Sequence, residues 1–196
     1  MGARHGHGTA TRHVAGLVWP PMLRRSCQTG AMHDQAARIQ AAGAAIEDLR
    51  EPLEAGEPWR LSDVWGTEDE AHWGPPEVLA HIAEMLSYWR EELGRVVAGD
   101  GSTLVPFGRV ASDPSRLARI DDLRRRPTPE LVDEVGARVP EVAGFVARLS
   151  SEDAGRVGLH QTRGEITVRD SVERFFATHL EEHVAQLRSI LGLGAG

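Results

Sequence analysis

The sequence predicts an all-α fold, a four-helix bundle preceded by a disordered N-terminal tail. Four segments carry apolar residues at spacings of three and four, which is the period of a helix that buries one face. Proline and glycine fall between these segments, and no stretch alternates apolar and polar residues as a half-buried strand does. At 196 residues the chain suits one domain. Four such helices bury their apolar faces together most simply as a bundle.

The tail is expected to span residues 1–31, and the domain residues 32–196. The tail contains Gly, His, Thr and Arg without any period, which is typical of disorder. Its histidines could bind metal weakly, although biased composition alone also explains them. Met32 begins a segment that resembles a natural start, so the tail is either an upstream extension or a natural part of the protein.

The four helices are predicted at 34–54, 75–98, 128–149 and 167–191. Small residues on the first helix, such as Ala42, permit close approach of a neighbouring helix. Pro75 and Pro76 favour a helix start, because the first N–H groups of a helix are unpaired in any case. Pro140 lies inside the third helix and is expected to kink or split it near Val139.

Three connections join these helices, and no strand is predicted in any of them. The first holds three tryptophans that either plug the end of the core or wall a substrate pocket: Trp59, Trp65 and Trp73. The second, residues 107–127, carries an arginine-rich run that is interpreted as a short helix or a loop. The third, residues 151–165, is predicted to be a loop. Thr167 and Asp170 resemble a capping box at the start of the last helix.

Composition excludes several kinds of chemistry. All 22 basic residues are arginine, and the sequence contains neither Lys nor Asn. Without lysine there is no Schiff-base nucleophile and no phosphate-loop lysine, which excludes pyridoxal phosphate, class I aldolase and P-loop mechanisms. The net charge is −7 and the arginines are scattered, so nucleic acid and anionic membranes are not expected partners.

The single cysteine and the hydropathy pattern bear on location. Cys27 permits no internal disulfide. No apolar run approaches the roughly 20 residues that span a bilayer. Pro20 and Pro21 interrupt the short apolar stretch near the N-terminus, which makes it a poor signal peptide. A cytoplasmic location is therefore expected.

Three histidines are candidate metal ligands. His179 and His183 lie one turn apart on the apolar stripe of the last helix, and His81 lies on the inward face of the second. A buried imidazole costs free energy unless it finds a hydrogen bond or a metal ion, and a core histidine bonded to a carbonyl is the alternative. Three inward imidazoles of a bundle would leave coordination positions open for water and substrate, which is typical of a catalytic metal site. A structural zinc site would need a fourth protein ligand.

Other residues are candidates for the surroundings of this site. Glu84 and Glu92 follow His81 on the second helix and are interpreted either as carboxylates supporting the site or as solvated charges. His160 lies in the predicted loop before the last helix and is interpreted as a surface residue, with a place at the mouth of the site as the alternative. Trp89 and Glu182 complete the candidates for the pocket.

Two segments together resemble the DinB/YfiT-like metalloenzyme superfamily. They are VLAHIAEMLSYWREEL and GLHQTRGEITVRDSVERFFATHLEEHVAQLRSIL, and the resemblance covers roughly residues 32–193. It implies a four-helix bundle whose metal ligands are His81, His179 and His183. His160, Gly164 and Thr167 are similar to a loop pattern of that family. The tryptophan-bearing connection and Pro140 do not match it.

The resemblance also implies a chemistry. Characterised relatives are thiol-dependent transferases or isomerases that use mycothiol or bacillithiol with a divalent metal, and some others are hydrolases. The composition is typical of a GC-rich genome such as that of an actinobacterium, in which mycothiol is the available thiol. A mycothiol-type S-transferase is therefore expected, with zinc as the ion and nickel, iron or manganese as alternatives. Its partners would be a small-molecule substrate and a low-molecular-weight thiol.

Two alternatives remain open from the sequence. The same metal site could activate water for hydrolysis instead of a thiol. The chain could also be a non-catalytic helical scaffold with a structural metal that acts as a homodimer. A pocket beside the three histidines with an open coordination position would distinguish an enzyme from a scaffold.

Overall fold

A computed structural model describes residues 21–63, 65–66 and 70–194 of the chain. Within these ranges the protein is mostly helical and contains one small three-stranded sheet. The elements in chain order are α1 (Pro21–Glu47), α2 (Arg50–Ala55), a 3₁₀ turn (Glu70–His72), α3 (Pro75–Ala98), β1 (Val105–Phe107), α4 (Pro114–Leu123), α5 (Thr128–Ala147), α6 (Ser151–Gly155), β2 (Val157–His160), β3 (Gly164–Thr167), α7 (Val168–Val172), a π-helical segment (Glu173–Ala177) and α8 (Thr178–Ile190).

The first predicted helix is longer than expected and is interrupted. It begins at Pro21, before the predicted boundary at Met32, and ends at Glu47. The tail predicted to be disordered spans residues 1–31, and its residues 21–31 are helical, which corrects that part of the prediction. Residues 1–20 fall outside the described residues, so their disorder stays a prediction. A second helix, α2, follows after two residues. The interruption has a local cause, because Pro52 has no N–H to donate to the carbonyl of Asp48.

Helices α3 and α5 lie where the sequence predicts them. Both have proline in the first turn. Pro140 does not split α5, which runs unbroken from Thr128 to Ala147, and the alternative expectation of a kink stays a prediction. Because Pro140 has no N–H, the carbonyl of Gly136 lacks the hydrogen bond that it would accept in a regular helix. Pro140 and Gly136 are both exposed. Water can therefore solvate that carbonyl, which lowers the cost of the missing hydrogen bond.

The all-α prediction is corrected by the small sheet. Its strand order is β1-β2-β3, with β1 parallel to β2 and β2 antiparallel to β3. The β2–β3 hairpin and the short α6 occupy the stretch that was predicted to be a loop. Strands of three or four residues carry too little alternation to be read from sequence. The strand that pairs with β2 on its other side, β1, is also distant from β2 in the chain.

The last predicted helix is built from three consecutive segments. The side chain of Thr167 accepts a hydrogen bond from the backbone N–H of Asp170 at 3.1 Å, as predicted for the start of α7. A π-helical segment then separates α7 from α8. Within it Phe175 and Phe176 are both buried.

Four long elements enclose the hydrophobic core. α1 packs against α5 and α8, and α3 packs against the same two helices. Leu79, Leu131 and Phe176 are among the fully buried side chains between them. Each such side chain contributes about 1.5–3 kcal/mol by leaving water. In the described part of the chain, none of the helices has the length and apolar character required to cross a membrane.

Helices α1 and α5 lie close together at Gly43. A Cβ atom at Gly43 would lie 2.5 Å from Cγ1 and 3.0 Å from Cβ of Val139. Val139 is buried and β-branched, so it cannot move aside without disturbing the core. A glycine at this position therefore fixes the distance between the two helices.

We expect Gly43→Ala to destabilise the protein by about 1–3 kcal/mol through overpacking, although alanine favours helix by about 1 kcal/mol. Gly94→Ala on α3 is the control, because no atom lies within 4 Å of its added Cβ. That variant should be as stable as the parent or more stable. Urea unfolding measures both, and an equal response of the two variants would contradict the close approach of α1 and α5.

Candidate metal centre

The structure brings together the three histidines that the sequence analysis selected. His81 lies on α3, and His179 and His183 lie one turn apart on α8. The ring of His81 lies 5.3 Å from that of His179 and 5.0 Å from that of His183, centroid to centroid. The Nε2 atoms of His81 and His179 are 3.0 Å apart. Two nitrogens that share one ion at about 2.0–2.1 Å each would have a similar separation.

A fourth residue, Glu70, joins these histidines. One oxygen of its carboxylate and one nitrogen of each imidazole all lie within 4.8 Å of one another. Glu70 belongs to the 3₁₀ turn in the connection between α2 and α3. These four side chains, called here the His₃Glu group, could hold a metal ion. The sequence analysis did not include Glu70.

Burial keeps the three imidazoles neutral. His81 and His183 are each 4% exposed. Desolvation lowers the pKa of His81 well below its usual value, and nearby His183 and Arg116 act in the same direction. Desolvation also lowers the pKa of His179 to about 3 and lowers the pKa of His183. Neutral imidazole is the form that binds a metal ion, so protons compete weakly for this group near pH 7.

Gln186 orients His183. Its Oε1 atom lies 2.9 Å from Nδ1 of His183, so Nδ1–H donates and Nε2 keeps its lone pair. That Nε2 is buried and has no hydrogen-bond partner in the described structure. The amide nitrogen of Gln186 donates to the backbone carbonyl of Glu70 at 2.6 Å. One side chain therefore fixes both the tautomer of a candidate ligand and the turn that carries Glu70.

Arg116 of α4 brings a buried positive charge to the same place. Its guanidinium donates to the carboxylate of Glu70 and, at 2.9 Å, to the carbonyl of Ala111. It also lies 3.3 Å from Nδ1 of His81. Since guanidinium only donates, this last contact is a hydrogen bond only when Nδ1 of His81 carries no proton. The proton of His81 is then on Nε2, facing His179.

A pocket of about 800 Å³ opens beside His81 and His179. His81, Met85 and Trp89 follow one another at four-residue intervals on α3, and all three line it. From the opposite side Phe175 stacks on Trp89, with ring centroids 4.0 Å apart and planes at 5°. The pocket is large enough for a small organic ligand. One end of it is the His₃Glu group and the other is an aromatic wall.

His160 belongs to that aromatic wall and not to the surface, so its interpretation as a surface residue is wrong. It lies at the end of β2, is 4% exposed and stacks on Phe175 at 5.4 Å. The backbone N–H of Thr162 donates to its Nδ1 at 3.1 Å, which places the proton on Nε2. Desolvation, and then Arg163, lower its pKa.

The three candidate carboxylates have different positions. Glu84 is buried and pairs with Arg109, a pocket residue, so it is not a solvated charge. Glu92 accepts from the backbone N–H of Gly108 at 2.8 Å and so holds the loop after β1. Glu182 is exposed and lines the pocket. Within the described residues, none of the three forms a hydrogen bond with an imidazole of the His₃Glu group.

Three residues of the site were missed from the sequence, and only one of them had a local signal. Gln186 lies three residues after His183, which is the spacing of neighbours on a helix. Glu70 and Arg116 lie in a connection and on a short helix, at distances along the chain that carry no periodicity. Only the folded structure brings them to the histidines.

The donor set fits a divalent metal ion. Three neutral imidazoles and one carboxylate are ordinary ligands of zinc and other transition metals. The buried, unpartnered Nε2 of His183 is otherwise a costly feature, and an ion would satisfy it. The chain matches no protein-family model, no curated protein and no solved structure. The geometry of the site thus carries the functional argument.

We expect Gln186→Leu to lower metal affinity by about 10–100-fold, because His183 loses its orienting acceptor and the Glu70 turn loses a donor. Gln186→Glu keeps the acceptor for Nδ1–H and should retain more of the affinity. Gln161→Leu, an exposed glutamine in the β2–β3 turn, is the control. Competition titration of Zn²⁺ against a chelator measures the affinity. Equal affinities of Gln186→Leu and the parent would exclude this role.

The metal-free protein should lose stability as pH falls from about 7 to about 4. The pKa of His179 is lowered in the folded state, so the unfolded state binds more protons in this range and unfolding becomes easier. One such histidine contributes up to about 1.4 kcal/mol per pH unit. Urea unfolding at a series of pH values, with chelator present, measures the slope.

His179→Gln should reduce that slope by up to one proton's contribution, whereas His72→Gln, at an exposed position, should leave it unchanged. Carboxylates titrate alike in the parent and in both variants, so only the difference between slopes matters. Identical slopes for the parent and His179→Gln would show that His179 titrates normally in the folded protein.

Proposed function

We propose that the chain is a metal-dependent enzyme of the DinB/YfiT-like superfamily, in which His81, His179 and His183 hold a divalent ion that activates a thiol. The activity proposed is transfer to a low-molecular-weight thiol of the mycothiol type. The observation that carries the proposal is the convergence of three neutral imidazoles, two of which, His81 and His179, line a pocket of about 800 Å³. A metal buried in a scaffold would not need such a pocket.

The residues that line the pocket favour a nucleophile supplied from outside the protein. They include neither cysteine nor lysine, and His160 is neutral and deep in the aromatic wall. A bound divalent ion would lower the pKa of a coordinated thiol or water, which makes either a nucleophile near pH 7. Met85, Trp89 and Phe175 would bind the apolar part of the substrate beside it and exclude water.

The proposal includes three further features. Helices α1, α3, α5 and the α7–α8 run form the four-helix bundle of that superfamily, in agreement with the helix pairs that pack together. Zinc is the expected ion, with nickel, iron or manganese as alternatives. A cytoplasmic location is part of the proposal, and assembly as a homodimer is left open.

The main competing function is a scaffold with a structural metal. Glu70 favours it, because structural zinc sites have four protein ligands. A hydrolase that activates water would share the pocket with the proposed transferase. A measurement of metal content alone distinguishes the transferase neither from the scaffold nor from the hydrolase. The experiment must therefore also measure thiol binding.

We expect the purified protein to contain about one equivalent of metal, and His81→Ala, His179→Ala and His183→Ala to lose it. His72→Ala, which removes an exposed histidine, should retain it. Elemental analysis measures the metal, and circular dichroism checks that each variant is folded. Calorimetry of the metal-loaded protein with mycothiol should then show binding that the three variants lack. Metal binding without thiol binding would favour the hydrolase or the scaffold, and metal retained by all variants would exclude this site.

A further inference from the structure

The tryptophan-bearing connection is docked onto the metal centre by contacts on both sides of the turn Glu70–His72. Trp73 is 3% exposed, and its ring packs edge-on against His81 with centroids 5.5 Å apart. Gln186 holds the backbone carbonyl of Glu70 at 2.6 Å. The connection therefore presents the side chain of Glu70 to the imidazoles.

The carboxylate of Glu70 has two neighbours that compete for it. On one side is the ligand position defined by His81, His179 and His183, and on the other is the guanidinium of Arg116. The side chain of Glu70 is 36% exposed, whereas that of Arg116 is 9% exposed. Glu70 also lines both the large pocket and a smaller one of about 420 Å³ on the other side of His179. Glu70 thus has room to move, while its cationic neighbour is held in place.

Metal binding would change the hydrogen bonds of Arg116. An ion on Nε2 of His81 requires the proton of that neutral ring to be on Nδ1. Nδ1–H and the guanidinium of Arg116 are then two donors facing each other across 3.3 Å. The guanidinium must turn away from His81, and the carboxylate of Glu70 is the acceptor that it already contacts. The positions of Arg116 and Glu70 are therefore coupled to occupation of the metal site.

We propose that Glu70 is an exchangeable fourth metal ligand, which binds the ion when no substrate is present and transfers to Arg116 when an anionic ligand enters. This inference rests on the proposed function of the His₃Glu group as a metal site. The carboxylate then shares its negative charge between a guanidinium and a divalent ion. The centre keeps a positive charge in either position, and this favours a thiolate, a hydroxide or another small anion as the incoming ligand.

Exchange explains how four protein ligands are compatible with a catalytic pocket. A fourth ligand on a rigid buried helix would close the tetrahedral site permanently. Glu70 instead lies on a three-residue turn and has a fixed cation beside it that can receive its carboxylate. The ligand position that it vacates faces the pocket where Met85 and Trp89 lie.

The test uses the Co²⁺-loaded protein and azide as a small anionic probe. The visible absorption of Co²⁺ reports its coordination, so it gives both Co²⁺ affinity and azide binding without any enzymatic activity. Azide is chosen because its binding does not depend on whether the protein uses a thiol. Three variants are compared with the parent: Glu70→Gln, Arg116→Gln and the control Glu182→Gln.

Glu70→Gln should bind Co²⁺ about 10-fold or more weakly, have a changed spectrum and bind azide about 10-fold more tightly, because azide no longer competes with a carboxylate. Arg116→Gln should bind azide more weakly than the parent, because Glu70 has lost its alternative partner. Glu182→Gln removes the same charge from the same two pockets, but Glu182 is outside the His₃Glu group. It should resemble the parent in both affinities.

The outcomes separate the inference from the function on which it rests. If the parent binds Co²⁺ through the three histidines and Glu70→Gln resembles the parent in spectrum and azide affinity, the exchangeable ligand is excluded and the metal site stands. If Glu182→Gln changes azide binding as much as Glu70→Gln, the effect is one of net charge and the inference is again wrong. If the parent binds no Co²⁺, both the inference and the proposed function fail. Because the side chain of Glu70 is 36% exposed, Glu70→Gln should fold, and its result decides the question even if Arg116→Gln does not fold.

Discussion

Three imidazoles buried between α3 and α8 impose the constraint on which the surroundings of the pocket depend. Removing an imidazole from water costs free energy unless its nitrogens are satisfied, and the same burial lowers the pKa of each ring and so disfavours its charged form. Hydrogen bonds from neighbouring side chains satisfy some of these nitrogens. His183 has Gln186 on one nitrogen and no partner on the other. That nitrogen, Nε2, is one of several buried polar atoms without a partner among the described residues, and the one that an ion bound by the His₃Glu group would satisfy.

The charges around these rings follow from the arginine-only composition. Arg116 contacts the carbonyl of Ala111 with one terminal nitrogen and Glu70 with the other, which requires the planar fork of a guanidinium. Arg124 and Glu77 form a buried pair at the start of α3, 2.8 Å apart. Buried pairs of this kind add little net stability, but removing one partner leaves the other charge uncompensated. The pair of Arg124 and Glu77 therefore helps to fix the position of α4 against α3, and with it the position of Arg116.

The sequence predicted the parts of this structure that local periodicity determines. The apolar stripe of α3 and its opening prolines were sufficient for its boundaries, and the inward position of His81 followed from the same stripe. Glu70 and Arg116 could not be predicted in this way, because they meet through a contact between residues 46 positions apart. The sheet was missed for a related reason, since β1 and β2 pair although some fifty residues, most of them helical, separate them in the chain. Local sequence patterns predict which residues of a helix face the core. The chemistry of this site also depends on residues of the connections, such as Glu70, which local patterns do not place.

The irregular elements meet at the far end of the pocket. The π-helical segment buries both Phe175 and Phe176, one against Trp89 and the other in the core. The hydroxyl of Thr178 donates to the side-chain carboxylate of Glu173 at 2.9 Å and so supports the geometry of this segment. The β2 strand ends at His160, which stacks on the same Phe175. In the π-helical segment the backbone N–H of Thr178 donates to the carbonyl of Glu173 five residues earlier, one residue more than in an α-helix. Insertions of this kind occur often at functional sites. The π segment, which immediately precedes His179, thus joins the wall of the pocket to the metal centre in one helix.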